Sequence, residues 1–435
     1  MKRLRALIAC TCLLLPGCTG DPGDPAGRVG LDDLERFGSL PYLSATRDPR
    51  LADELARIVE EGGTPAQLSA AAAAGEPSVG AALATLFPKE RLGWLVARSA
   101  ELLPPGEFRF DPIRLQHAIA FRRKYDQERL QAREALKRAD RRLGICFLAG
   151  FAADTSVIDA ARVCGRLEAF HAAELLAEDD LDGAIGVLDH MFALARCLAA
   201  EQHLDARIHA AQLRAEALAA MQTVATDGSV TREHLHALRQ IVDAQLQAWP
   251  DDADAWLGER AIGLHAYELV RDGALLALLT EEEIEEFEQE GNLRMVAEAA
   301  RRGADPDQLY YLETMREVIA VSQKPYHARL PALEAIDHDL QQRRETPDYP
   351  LVAARLLLKD LAAAHAIQGL DRAQIEAWAL ALSAATGEPA AQSINPLTGW
   401  AYELAREDTL VVVSGIGAGS DAERWKVYVP DFTER

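Results

Sequence analysis

The chain has 435 residues, a formal charge of -22, 49% hydrophobic residues and only 6% aromatics. That length allows about two to three domains or one extended helical array. So acidic a chain repels phosphate backbones, and its one basic cluster, Arg114 to Arg142, is interleaved with Asp126, Glu128, Glu134 and Asp140, so nucleic acid is not an expected partner.

The N-terminus reads as an address. Lys2, Arg3 and Arg5 precede a short apolar run, Ala6 to Leu15, that is too short to span a bilayer as a mature helix and fits the apolar region of a signal peptide. The run ends at Leu15-Pro16-Gly17-Cys18, which resembles a bacterial lipobox, with Pro16 where a small residue is usual. The resemblance implies a signal peptide over 1–17 and cleavage before Cys18. It also implies acylation of that cysteine, and so a membrane partner through a lipid anchor in the bacterial cell envelope. Several acyl chains would hold firmly, at about 0.8 kcal/mol per buried methylene. Residues 18–30, rich in Gly, Pro and Asp, have little to bury and are expected to act as a tether.

Cys146, Cys164 and Cys197 remain in the body of the chain. An oxidising compartment permits a disulfide, with Cys146–Cys164 one pairing that could tie neighbouring helices. Three small buried hydrophobes is the other reading.

From Leu31 to Leu382 the apolar residues recur at helical spacing between Gly, Pro or Asp-Gly breaks. The composition, rich in Ala, Leu, Glu and Arg, favours helix because these side chains lose little rotamer freedom there. Predicted helices span 48–61, 65–74, 78–86, 88–103, 112–141, 155–177, 180–199, 203–225, 231–248, 252–272, 280–301, 305–322, 325–343, 349–367 and 371–385. Asp111-Pro112 and Asp305-Pro306 read as a cap followed by a first-turn proline. Thr231 and Thr280 read as hydroxyl caps.

The organisation predicted is an N-terminal helical region over 31–150, a helical-repeat-like region over 151–387 and a small β-meander over 388–435. "LAEDDLDGAIGVLDHMFALA" resembles tetratricopeptide arrays, without their repeat of about 34 residues. The fold class expected is mainly α. It would be a degenerate α-solenoid or an irregular helical array, closed by antiparallel strands around Trp400–Leu404, Leu410–Ser414 and Trp425–Val429.

"NPLTGWAYEL…TLVVVSGIGAG" resembles the closing segment of a group of helical bacterial proteins abundant in planctomycetes, and type II secretion pseudopilins have a related ending. Gly258-Glu259-Arg260 fits the same group. Asn395 stands where the group has Asp, and Ala401 where it has Pro. The group has no established activity, so the resemblance implies architecture. The pseudopilin region holds calcium, for which Asp421 and Glu423 are too few acids here.

No residue set reads as a cofactor, metal or catalytic site. Glu168-Ala-Phe-His171 has the i, i+3 spacing of a di-iron ligand pair, but no second such pair accompanies it. His234 and His236 point about 200° apart on a helix and cannot chelate one ion. The acids of Thr280 to Gly291 suit a helix N-terminus. Trp249, Trp256, Tyr267, Tyr310 and Tyr311 suit core packing or an aromatic groove. The glycines at 415, 417 and 419 mimic a nucleotide loop, but only sixteen residues follow them, too few for a βαβ unit, and no Gly-Lys-Ser/Thr is present. The expected function is therefore a lipid-anchored helical binding or scaffold module for a protein or peptide. The alternatives are an envelope hydrolase with an unrecognised site and an assembly factor linked to secretion.

Overall fold

The computed structural model describes residues 48–433 apart from 74–77, 105–107, 138–141, 280–283, 286–292, 345, 347–348, 389–392 and 419–423. The signal peptide, Cys18, the tether, Thr280 and the acids Asp421 and Glu423 lie outside the described residues.

The fold is mainly helical with a small antiparallel sheet at the C-terminal end. The helices are α1 Pro49–Glu60, α2 Pro65–Ala73, α3 Val79–Leu86, α4 Lys89–Leu102, α5 Pro112–Lys124, α6 Asp126–Leu136, α7 Ser156–Ala177, α8 Leu181–Ala199, α9 Leu204–Ala225, α10 Arg232–Gln247, α11 Asp252–Arg271, α12 Leu293–Arg302, α13 Ala304–Ser322, α14 Leu330–Arg343 and α15 Leu361–Thr386. The strands are β1 Glu403–Glu407, β2 Leu410–Ser414 and β3 Val427–Pro430, in the order β1-β2-β3.

Several starts follow the sequence. Asp111 Oδ1 accepts from the Ile113 and Arg114 amides ahead of α5, with Pro112 in the first turn. Thr231 caps α10 in a capping box whose third residue is His234, not an acid, and whose ring returns a bond to the Thr231 amide. The Asp305-Pro306 cap is corrected. Helix α13 already begins at Ala304, and Asp305 instead accepts from Arg271.

Two main hydrophobic cores form among the described residues, beside a small cluster of Leu68, Phe147, Ala261 and Ile262. One gathers α3 to α10, the C-terminal half of α15 and the inner face of the sheet, where Val411, Val413, Val427 and Val429 are buried. The other gathers α1, α11 to α14 and the start of α15 around Trp256, Tyr267 and Tyr311. Helices α7, α8 and α9 stack as sequence neighbours, as in a solenoid. Elsewhere the partners are distant: α1 packs on α13, and α15 packs on α9 and α10. The body is thus an irregular helical array.

Gly258 shows how tightly it is assembled. A Cβ there would lie 1.7 Å from the Gln202 carbonyl oxygen, so only glycine lets α11 meet the α8–α9 turn. Its neighbours act in the same joint. The Glu259 carboxylate accepts from the Leu204 amide, its carbonyl accepts from Tyr311, and Arg260 pairs with Glu61 at 3.0 Å. The Gly-Glu-Arg triplet is a packing device.

The sheet matches the expected meander in order. Residues 400–402 belong to a short hairpin with 393–395, closed by the Ile394–Ala401 bridge, before β1 begins at Glu403. The Gly415 segment leaves β2 and leads to antiparallel β3, with Gly415 at φ +72°. Among the described residues β2 and β3 pair antiparallel, not in the parallel sense that a βαβ unit requires.

Candidate functional site: the α6 ridge and its arginine–carboxylate chain

Helix α6 has two unlike faces. Gln127, Leu130, Gln131, Glu134 and Lys137 recur at helical spacing and are exposed. Arg129, Ala132, Ala135 and Leu136 point the other way and are buried. A cleft of 660 Å³ lies on one side of this ridge, bounded by Asp126, Gln127, Leu130, Gln131, Arg133, Glu134, Lys137 and, from α8, His190. A second of 560 Å³ lies towards α3, bounded by Ala81, Ala82, Thr85, Leu86, Gln131, Glu134 and Ala135. Gln131 and Glu134 border both, so the two depressions adjoin across the ridge.

The underside of the ridge is fixed by charge. Arg122, Asp126, Arg129 and Arg133 form one helical stripe, interrupted only by the break at Tyr125. Facing it, α7 presents Glu168 and Glu174. The contacts run as one alternating chain. Arg123 and Arg122 both bond Glu174. Arg122 also reaches Asp126 at 2.9 Å, which accepts from Arg129 at 2.7 Å. Arg129 bonds Glu168 at 3.1 Å, and Arg133 grips the same carboxylate at both oxygens. Four guanidiniums thus meet three carboxylates. Glu168 is fully buried, where an unpaired carboxylate would cost several kcal/mol, so the pairing is obligatory rather than decorative.

The field of this chain sets the nearby titrations. Burial alone would raise the Glu174 carboxyl, but the bonds from Arg123 and the charge of Arg122 hold it below its ordinary value. His171 is pushed down by burial and by Arg129 and Arg122, and His190 by burial and Arg133. Both imidazoles therefore favour the neutral form. The Cys164 thiol beside Glu168 is driven strongly upward by burial and by that carboxylate, which makes it a poor nucleophile.

The E-x-x-H pair resolves in the same frame. Glu168 spends its oxygens on Arg129 and Arg133, and His171 lies 3.7 Å from Glu174. Among the described residues no group of three or more His, Cys, Asp or Glu side chains is placed to hold a metal ion. His234 and His236 address different partners, Asp182 at 3.2 Å and Glu388 at 3.3 Å. Cys146 is exposed beside Ser69 while Cys164 is buried in α7, and the two are unbridged.

The middle aromatics are divided between roles. Trp256, Tyr267 and Tyr311 are core residues, with Tyr267 donating to Asp307 and Tyr311 to the Glu259 carbonyl. Trp249 is sandwiched by Arg214 and Arg372, 4.7 and 4.8 Å from its ring centre. They do not form a groove. The α6 ridge escaped the sequence reading, although the signal was present: the 122, 126, 129, 133 stripe has helical spacing, and α7 carries two glutamates six apart. Nothing in the sequence said that the two faced each other.

Among the described residues no helix is long and apolar enough to cross a membrane. Set against family models, curated proteins and solved structures, the chain matches none.

Proposed function

We propose that this protein is an envelope lipoprotein, anchored through Cys18, whose helical body docks a protein or peptide partner over the α6 ridge. The observation that carries the docking surface is the pair of adjoining clefts flanking α6. The ridge between them presents Leu130, Gln127 and Gln131 outward, on a base held by four arginines. A preorganised surface loses little conformational entropy on binding, and a half-exposed leucine between amide side chains suits a mixed apolar and polar contact. The lipobox and the basic, apolar N-terminus support the anchor.

The test places a photo-crosslinking residue at Gln131 in cells that express the full chain, with the exposed Arg301 as control. One discrete adduct at Gln131, absent at Arg301 and lost in Leu130→Asp, is the expected result. Equal labelling at both positions, or none at Gln131, overturns the docking surface. Separately, Cys18→Ala is expected to release the protein from the membrane fraction and abolish labelling by a fatty-acid analogue. Unchanged fractionation refutes the anchor without touching the ridge.

A further inference from the structure

A second polar cluster lies where the two cores meet, far in sequence from α6. Arg207 and Arg214 come from α9, Asp252 and Trp256 from α11, Arg329 from the residue before α14, and His365, Gln368 and Asp371 from one face of α15. All eight are nine-tenths or more buried. Arg214 grips Asp371 through Nε at 2.9 and 3.0 Å. Arg329 joins Asp252 at 2.9 Å and His365 Nδ1 at 3.2 Å, and Arg207 lies 3.5 Å from Asp252. The His365 ring stacks on Trp256 with centres 4.5 Å apart. Trp256 sits one helical turn beyond Asp252 on α11, so the contacts run from Asp252 through Arg329 and His365 back to the same helix. Gln368 stands one turn beyond His365 on the same face.

Two features of this ring point the same way. First, three buried guanidiniums meet only two buried carboxylates, and the third positive charge is answered only from the rim. Asp254 faces Arg207 from the rim, but it is only half-buried and bonds Gln202. Second, the leftover polar atoms are nearly all donors. Arg207 Nε, Trp256 Nε1, His365 Nε2 and Gln368 Nε2 have no hydrogen-bond partner among the described residues, and Gln368 Oε1 is the one acceptor of the ring in that position. His365 Nε2 is a donor because Arg329 donates to Nδ1, which leaves the ring proton on the other nitrogen. Burial and the Arg329 charge keep this ring neutral, down to about pH 3. Buried orphan donors are rare and costly, and a buried unpaired charge is costlier still.

We infer that this joint binds a small monovalent anion, chloride in ordinary buffers, against the N–H groups of Arg207, Trp256, His365 and Gln368. A water molecule offers as many donors as acceptors and brings no charge to the arginines. An anion accepts from every orphan donor and sets a negative charge inside the ring, where Arg207 otherwise shares Asp252 with Arg329.

The test uses the full-length chain purified in detergent. Crystals soaked in bromide are expected to show an anomalous peak within hydrogen-bond reach of Trp256 Nε1 or His365 Nε2. At matched ionic strength, the melting temperature is expected to be about 2 °C or more higher in chloride than in gluconate, because a ligand bound only by the native state stabilises it. Arg207→Gln removes one guanidinium from the ring and is expected to abolish that difference. A water in place of bromide, or equal melting in both salts, overturns the inference. Should the variant fail to fold, the bromide map of the wild-type chain decides.

Discussion

Asn395 is fully buried and its amide faces two carbonyls. Nδ2 donates to the Gly415 oxygen at 2.7 Å and to the Ile416 oxygen at 2.9 Å, while Oδ1 accepts from the Leu397 amide. The structure gives a reason for an amide, not a carboxylate, at this point. A carboxylate here would turn two attractive contacts into two repulsive ones. Asn395→Asp is expected to cost about 1–3 kcal/mol in urea denaturation at neutral pH. The deficit should shrink in acid, where the new carboxyl takes a proton and can donate one bond. Gly150 makes a comparable point. It sits at φ +50° and a Cβ would fall 2.1 Å from His265 Nδ1, so both its conformation and its lack of a side chain are used. Such residues were visible in the sequence only as identities. Their partners, twenty and more than a hundred residues away, were not.

At the scale of elements, most helices were legible because the apolar period and the caps agree. Two departures have physical causes. The span 112–141 read as one helix because no Gly or Pro interrupts it, yet Tyr125 leaves the helical region at φ -114°, ψ 23°, with its ring packed on Phe121. That break lets α6 turn its arginines onto α7. Conversely, the predicted stop near Gly369 is absent. Helix α15 runs through it, and a Cβ there would lie 2.9 Å from Leu397 and 3.1 Å from Tyr326, so the glycine serves close packing and does not end the helix. The true interruption is at Asp360, in the left-handed region at φ 62°. The sheet edge at β3 shows a device that periodicity cannot reveal. The Gln222 side chain of α9 donates to the Tyr428 carbonyl and accepts from its amide, occupying the place of a neighbouring strand. Gln222→Leu is expected to destabilise the protein by about 1–3 kcal/mol in urea titration. By size-exclusion chromatography it should also raise the oligomeric fraction, since an uncovered edge pairs with others.

The whole molecule couples its stability to pH through buried imidazoles. His265 is fully buried, neither ring nitrogen has a partner among the described residues, and burial lowers its pKa to about 4. The sign follows from proton counting. Below about pH 6.5 the unfolded chain protonates this histidine and the folded one does not, so its contribution is full above that pH and is lost on acidification towards 4. His265→Leu removes that one loss. Its stability relative to wild type is expected to rise by up to about 1.4 kcal/mol per pH unit between pH 6.5 and 4, read from urea midpoints along a pH series. The mainly helical class and the terminal meander were legible in composition and pattern. The arrangement of two cores was not, because α1 belongs with α13 and α3 to α6 belong with α7 to α10, pairings that only tertiary packing decides. Helix α15 belongs to both: Leu361 and Ala364 lie in one core, Ile375, Trp378 and Leu382 in the other. This continuity removes any natural parting line from the body. A protease that cuts within α15 would leave neither fragment with a complete interior, and no truncation there would yield a self-sufficient half.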